Sequence, residues 1–393
     1  MISQTNTGNT VKASNTSNDD VLGIDIGSSS LRACIVNKRN IVNFFEVESN
    51  GVQNGFVTDV DAFEDDVFNL ILKINDEVNV FPKKIVLGIS TRSQNSNSAI
   101  GSTIIGRADG IILENDIEDC IKKSRNKLEI SKNLEIMHTL ITKKKVDDNL
   151  IYDDIVGMHG KKLEAKILFI YEDKKNQKLI CETFEKLGIN IRQVVSGVFA
   201  ESLVVLNKKD MRIGTCHINI GMCNTSLTVY ENGYPMLCSV LGIGGESISS
   251  DLSLGLRLSY AEAEEIKINM NTLDTKKRRV EEIVEARINY INNKINAELD
   301  RVKRRDLLPG GAILTGGTSE LYKLENNMRY DLKIPIRKLK ASELKKGDYL
   351  NSFNIRSFGI ALLYDETMDS SIYIEYISKI YKFIYFKIKK YLP

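Results

Sequence analysis

The feature that most constrains this chain is a strand–loop–strand pattern that occurs twice. Residues 213–233 read IGTCHINIGMCNTSLTVYENG. Within them His217-Ile218-Asn219-Ile220 has the character of a buried strand and Leu227-Thr228-Val229-Tyr230 that of its partner. Glu231-Asn232-Gly233 then supplies an Asx-Gly turn. The intervening residues 221–226 form a short polar loop, whose backbone N–H groups can turn toward an anion such as phosphate. The second copy is VLGIDIGSSSLRACIV, residues 21–36. In both, an apolar strand ends in an acid or amide, then Ile and Gly, so Asp25-Ile26-Gly27 and Asn219-Ile220-Gly221 are equivalent positions of an internal duplication. A third element, residues 312–318, runs a buried strand into the turn Gly316-Gly317.

At 393 residues the chain exceeds one ordinary core, so two or more domains are expected. With 42% hydrophobic and 27% charged residues it reads as soluble and globular, and a net charge of +2 argues against nucleic acid as a partner. The run Lys143-Lys144-Lys145 lacks interleaved aromatics and reads as a solvated loop. No apolar core follows Met1-Ile2-Ser3, so no signal peptide is expected. The six cysteines (34, 120, 181, 216, 223, 238) have no metal-ligand spacing and read as reduced core residues of a cytoplasmic protein. None of the three histidines (138, 159, 217) has a partner at ligand spacing, so a metal centre held by the protein alone is not expected.

In chain order, residues 1–20 are polar and read as a disordered tail. An apolar stripe at Val60, Phe63, Val67, Leu70, Ile71 and Ile74 predicts a helix over residues 59–78. A buried strand over 85–89 and a polar loop over 90–98 follow. Asn115 is placed as the cap of a helix reaching about Lys127, with strands at 135–141 and 162–171 flanking a charged excursion over 143–154. Helices are expected over 176–187 and 194–206, a strand over 235–242, and a helix after the Gly244-Gly245 turn. Ser259-Tyr260-Ala261-Glu262 is a capping box. A long helix over 275–307 has Val280, Ile283, Val284, Ile288, Ile291 and Ile295 as its buried stripe. Residues 351–364 contain a helix expected to pack back on the first domain.

Three such loops in this order resemble the actin-like ATPase superfamily, with two phosphate loops and one adenosine loop. Within it, residues 21–392 resemble the FtsA family, the bacterial division actin homologues. The resemblance is carried by Asp25-Ile26-Gly27-Ser28-Ser29, residues 55–59, Gly88-Ile89-Ser90 with Ile100-Gly101, and VGMHGKKLEA at 156–165. Ser196-Gly197, Gly244-Gly245, Asp251, Ala263-Glu264-Glu265-Ile266-Lys267 and Leu314-Thr315-Gly316-Gly317-Thr318 complete it. It implies an α/β, two-lobed actin-like ATPase fold with duplicated sheet domains, an inserted subdomain in the first lobe and a C-terminal amphipathic helix. The implied division is a first-lobe core at 21–103 and 187–212, the inserted subdomain at 104–186, and a second-lobe core at 213–251 and 306–350. A shortened outer subdomain at 252–305, a return to the first lobe at 351–370 and a membrane-targeting helix at 371–393 complete the chain.

The resemblance also implies a cleft for ATP and Mg²⁺. Asp25 would face the metal through water, and Gly27, Ser28, Ser29, Asn219, Gly221, Gly244, Gly245, Gly316 and Gly317 would surround the nucleotide. Glu264 and Lys267 would stand near the ribose and adenine. The second loop departs from the superfamily's Asp-Ile-Gly-Gly-Gly-Thr-Thr-Asp: Asn219 replaces the first acid, Met222 and Cys223 replace glycines, and Ser226 replaces the last acid. Glu201 is the nearest upstream acid and reads as lying one helical turn beyond the position related ATPases use. ATP binding with weak or absent hydrolysis is therefore expected.

The implied partners are the C-terminal tail of FtsZ, further copies of the chain in a filament, later division proteins and the anionic membrane surface, on the cytoplasmic face at mid-cell. A pilus-assembly actin homologue of the PilM kind and a small-molecule kinase of the superfamily stand as alternatives. In residues 372–392, Ile377, Ile380, Ile384, Ile388 and Tyr391 share one helical face, with Lys382 and Lys389 on the polar side. That pattern predicts a helix lying in a membrane surface.

Overall fold

The computed structural model describes residues 16–38, 40–151, 154–270, 277–340 and 354–364. The first unit opens with an antiparallel meander, β1 (Val21–Ile26), β2 (Ser30–Asn37) and β3 (Asn40–Glu48). A small hairpin, β4 (Val52–Gln53) and β5 (Phe56–Val57), leads into α1 (Val60–Glu77) and β6 (Lys84–Ile89). Then come β7 (Asn95–Ile104), α2 (Glu114–Arg125), β8 (Leu134–Val146), β9 (Asn149–Ile151), β10 (Lys162–Asp173) and α3 (Lys174–Lys186). The unit ends with β11 (Gln193–Ser196) and α4 (Gly197–Val205).

After α5 (Lys208–Ile213) the second unit begins with its own meander, β12 (Thr215–Ile220), β13 (Thr225–Glu231) and β14 (Tyr234–Leu241). Helices α6 (Gly245–Leu256), α7 (Tyr260–Ile268) and α8 (Lys277–Arg301) follow, then β15 (Ala312–Thr315), a 3₁₀ turn at Gly317–Glu320, α9 (Leu324–Leu332), β16 (Ile336–Lys338) and α10 (Ile355–Leu362). No strand occurs among the described residues of 252–305.

The duplication is visible in the topology. One sheet has the order β3-β2-β1-β6-β11 and the other β14-β13-β12-β15-β16. In each, three antiparallel strands are followed by two parallel ones. The central strands β1 and β12 read VLGIDI and TCHINI and are almost wholly buried, as strands covered on both faces must be. The Asn232-Gly233 turn has φ of 54° and 87°, the left-handed pair that a tight hairpin requires.

The units are joined by an exchange of helices. Helix α10, the last described element, packs on β1, β2 and β6 of the first sheet, while α4 packs on β13 and β14 as well as β11. The approach is close: a Cβ on Gly23 would stand 2.4 Å from the Ser357 carbonyl oxygen, so only glycine fits there. In the second unit, Val280, Val284, Ile288, Ile291, Ile295 and Leu299 make the buried stripe of α8. Full burial of each contributes on the order of 1.5–3 kcal/mol. Asp251 of α6 anchors Arg287 of α8 at 2.5 Å.

The third sheet, β7-β10-β8-β9, has its own core against α2, with Ile112, Ile117, Leu163, Ile167 and Phe169 buried. Its first strand is also stitched to the second unit, since Cys238 N–H donates to Ser96 Oγ at 2.8 Å.

Several local expectations are corrected. The polar loop ends early, because Asn95 already pairs with Tyr171 at the start of β7. The charged excursion is a hairpin: Lys143, Lys144 and Lys145 lie in β8, paired to β10 on one side and, for Lys144 and Lys145, to β9 on the other. Asn115 is not the cap of α2. Leu113 is, and the Asp116 carboxylate reaches back to its N–H at 2.7 Å. Residues 194–196 are strand rather than helix; α4 starts at Gly197, where Ser196 Oγ accepts from Phe199 N–H at 3.1 Å. The tail is shorter than 1–20, for Thr16 and Asp20 are buried and Thr16 Oγ1 donates to Val80 O at 2.7 Å. The expected membrane helix at 371–393, with Ile377, Ile380, Lys382, Ile384, Ile388, Lys389 and Tyr391, lies outside the described residues.

Candidate functional site

The three loops converge where the two meanders meet α6 and α10. The first loop joins β1 to β2 through Gly27, Ser28 and Ser29. Gly27 turns tightly, with a Cβ there only 2.7 Å from Ser30 O. Ser28 Oγ accepts from Gly55 N–H at 3.3 Å, and Ser29 O accepts from Ser49 N–H at 3.2 Å. Among the described residues, the N–H groups of Ser28 and Ser29 have no acceptor, which leaves them available to an anion.

The second loop is spent on the protein itself. Gly221 N–H donates to Asn224 O at 2.9 Å, and the carbonyls of Gly221 and Met222 accept from Gly245 N–H (2.9 Å) and Glu246 N–H (2.8 Å) at the start of α6. These are donors that a helix N-terminus would otherwise offer to phosphate. Cys223 is buried, donates its thiol to Glu246 Oε2 at 2.9 Å, and lies beside Ser28 and the Asn54 backbone. Burial, reinforced by Glu246, pushes that thiol up to about 11. A side chain thus fills space between the two loops that glycine would leave open.

On the side of the third loop, Lys267 Nζ lies 2.7 Å from Glu264 Oε2 and 3.2 Å from Gly245 O. Ser249 donates to the same Glu264 carboxylate, and Thr318 Oγ1 to Gly221 O at 3.2 Å. Glu264, Lys267, Gly221, Gly244 and Gly245 are therefore one contiguous set. Gly317 is exposed beside it, whereas Gly316 is buried. Gly316 has φ of 88°, and a Cβ there would meet Asn219 Oδ1 and Ile220 O, both at 2.5 Å. Packing of β15 on β12 is by itself enough to require that glycine.

The floor of the site is a buried charge cluster built on Glu201 and Arg356. Glu201 of α4 is 1% exposed. Its Oε1 accepts from Asn219 Nδ2 at 2.7 Å and Thr315 Oγ1 at 2.9 Å, and its Oε2 accepts from Arg356 Nε at 2.8 Å. Arg356 Nη2 also lies 2.8 Å from that oxygen, and Nη1 lies 3.9 Å from Asp25 Oδ1. Burial opposes the charge on Glu201, but Arg356 foremost, together with the Asn219 bond, holds its carboxyl below the usual range. Asp25 goes the other way. Burial raises it more than Arg356 and Arg32 lower it, with Glu201 adding to the rise. Thr315 gives its single proton to Glu201, so it accepts from His217 Nε2–H at 2.8 Å, and burial keeps that imidazole neutral.

Glu201 is thus in the site, and Asn219 is turned toward it. The residues do not fit a divalent cation. Both oxygens of Glu201 are engaged, and Asp25 Oδ1, which has no hydrogen-bond partner among the described residues, has a guanidinium beside it. No cluster of three acidic, histidine or cysteine side chains that could hold a metal occurs among the described residues. The signal that could have found Arg356 is compositional. It is the single charge of α10, IRSFGIAL, just as Glu201 is the single charge of α4, GVFAESLVV. Opposite charges in two apolar helices must find each other or stay in water.

Comparison with known proteins agrees with this architecture. The family model described as "Cell division protein FtsA" matches residues 216–353, and that of the "SHS2 domain inserted in FTSA" matches residues 88–171, which hold most of the third sheet. The cell division protein FtsA of Neisseria meningitidis serogroup B is 26% identical over 348 residues, covering 80% of this chain and 82% of that one. FtsA of Streptococcus pneumoniae serotype 2 is 24% identical over 324 residues, covering 76% and 70%. Among solved structures, the PilM–PilN type IV pilus biogenesis complex is similar at a TM-score of 0.62 and 15% identity, covering 88% of this chain and 97% of that one. MreB 5 of Spiroplasma citri bound to AMPPNP is similar at 0.52 and 10%, covering 96% and 100%. At these identities the structural likenesses speak for the actin-like ATPase fold alone.

Proposed function

The chain belongs to the FtsA family of cell division proteins, and from that premise we propose that it tethers the FtsZ ring to the cytoplasmic membrane at mid-cell. It acts as a structural adaptor that binds ATP, associates with further copies of itself and recruits later division proteins. The observation that carries this reading is the inserted four-stranded sheet, built in a chain whose sequence there matches the model of the domain inserted in this family.

Nucleotide enters by the first loop, where backbone donors are free, and rests against the Glu264–Lys267 pair. Hydrolysis is slow or absent. Polarising a water molecule needs a free, well-placed base, and both oxygens of Glu201 are committed to Arg356, Asn219 and Thr315. The same engagement weighs against a small-molecule kinase, which needs such a base. The likeness to the PilM–PilN complex favours a pilus-assembly role only at the level of fold. Residues 371–393 supply the membrane contact and the surface over 252–305 the FtsZ contact. The experiment is a fluorescent fusion in dividing cells: a mid-cell band supports the adaptor, and a polar or diffuse signal overturns it.

A further inference from the structure

An ATP cleft must balance the charge of the phosphates and of its own acids. Here a cation is already built into the chain. Helix α10 carries Arg356 beneath the first loop, with its side chain packed over Gly197, where a Cβ would stand 3.1 Å from Arg356 Cδ. The guanidinium meets Glu201 through Nε and Nη2, both at 2.8 Å, and leaves Nη1 3.9 Å from Asp25. Asn219 and Thr315 take the remaining capacity of Glu201 Oε1.

We propose that Arg356 is a fixed counter-cation of this cleft, so that ATP is held there without a divalent ion at Asp25. The proposal rests on the nucleotide reading given above. A guanidinium stays protonated throughout the physiological range and cannot dissociate, whereas a metal ion is present only in proportion to its concentration. A dication arriving at Asp25 would meet a like charge about one ion-pair distance away, and Glu201 has no oxygen left to offer it. The charge of the cleft's own acids, otherwise balanced by the metal, is balanced by the chain whether or not magnesium is present. Magnesium prefers one or two carboxylates together with phosphate oxygens and retained waters, so a single acid already neighboured by arginine is a poor site.

Two measurements test it. The first is the affinity of fluorescent ATP with millimolar MgCl₂ and with EDTA, for wild type, Arg356→Lys and Arg356→Gln. Wild type and Arg356→Lys should agree within about threefold between the two conditions, and Arg356→Gln should lose about tenfold or more in EDTA and recover with Mg²⁺. A wild-type loss of about tenfold in EDTA overturns the proposal. The second is thermal melting with MgCl₂ alone. Magnesium should raise the Tm of Arg356→Gln and leave wild type unmoved, and an equal rise in wild type overturns the proposal. If ATP binds in neither condition, the nucleotide reading itself fails, and the melting comparison still decides the role of Arg356. If Arg356→Gln does not fold, wild type and Arg356→Lys carry the decision in both measurements.

Discussion

Arg356 Nη2 lies 2.8 Å from Glu201 Oε2, and this contact ties the last described helix of the chain to the helix that joins its two units. Both groups are withdrawn from water, so neither tolerates loss of the other. Glu201→Gln or Arg356→Met alone should destabilise the protein by about 3–5 kcal/mol. The double variant Glu201→Gln/Arg356→Met removes both charges and keeps an amide oxygen for Asn219 and Thr315. It should recover at least half of that loss. Urea unfolding of the four proteins measures the coupling; additive losses would contradict it.

Asn219→Asp restores the acid of the superfamily pattern, yet it should not restore hydrolysis. The amide nitrogen of Asn219 donates to Glu201 at 2.7 Å, so the substitution sets two buried carboxylates against each other. We expect a stability loss of roughly 1–3 kcal/mol and phosphate release no faster than wild type. Turnover approaching the usual enzyme scale of about 1 s⁻¹ or above would refute this.

Cys223→Gly removes the side chain between the first and second loops and its thiol bond to Glu246. ATP affinity should rise by about three- to tenfold, read by fluorescence titration. An unchanged or weaker affinity would show that the thiol does not restrict the cleft.

Glu172 makes stability fall with pH. It accepts from Thr91 N–H at 2.9 Å and Asp173 N–H at 2.8 Å, but burial dominates and pushes its carboxyl to about 7. The folded protein then holds a proton that the unfolded chain, with an ordinary carboxyl, has released. The contribution is fully present below about pH 4.5 and is lost as pH rises to about 7, on the order of 3 kcal/mol in all. Glu172→Gln should flatten the stability profile between about pH 5 and 7. A profile of unchanged slope would sink the assignment.

Ile384→Glu, or deletion of residues 371–393, should abolish sedimentation with anionic liposomes, because the apolar face at Ile377, Ile380, Ile384, Ile388 and Tyr391 loses its continuity. Unchanged co-sedimentation would remove these residues from the membrane contact.

What was legible in the sequence was what local pattern encodes. Asp25-Ile26-Gly27 and Asn219-Ile220-Gly221 gave the duplication because strand, acid or amide, and glycine fall in the same order, and the two strand orders agree. The apolar stripe of α8 emerged for the same reason. Lys143-Lys144-Lys145 misled because a charged run suggests a loop, whereas a strand near a sheet edge can carry lysines between its pairing partners. The pairing of Glu201 with Arg356 was illegible for another reason. Each stands out as the single charge of an apolar helix, but 155 positions separate them, and only the exchange of helices between the sheets brings them together.

That exchange bears on how the protein is made. The face of β1 that receives Ser357 and Ala361 at Gly23 is synthesised at the start of the chain, and α10 only near its end. At roughly 5–20 residues per second, translation leaves that face without its own helix for tens of seconds. Until residues 355–362 emerge, that face of the first sheet lacks the helix that covers it in the folded protein. Nascent chains arrested between the emergence of β11 and that of α10 should remain protease-sensitive in their N-terminal third, even though every strand of that sheet has already been made.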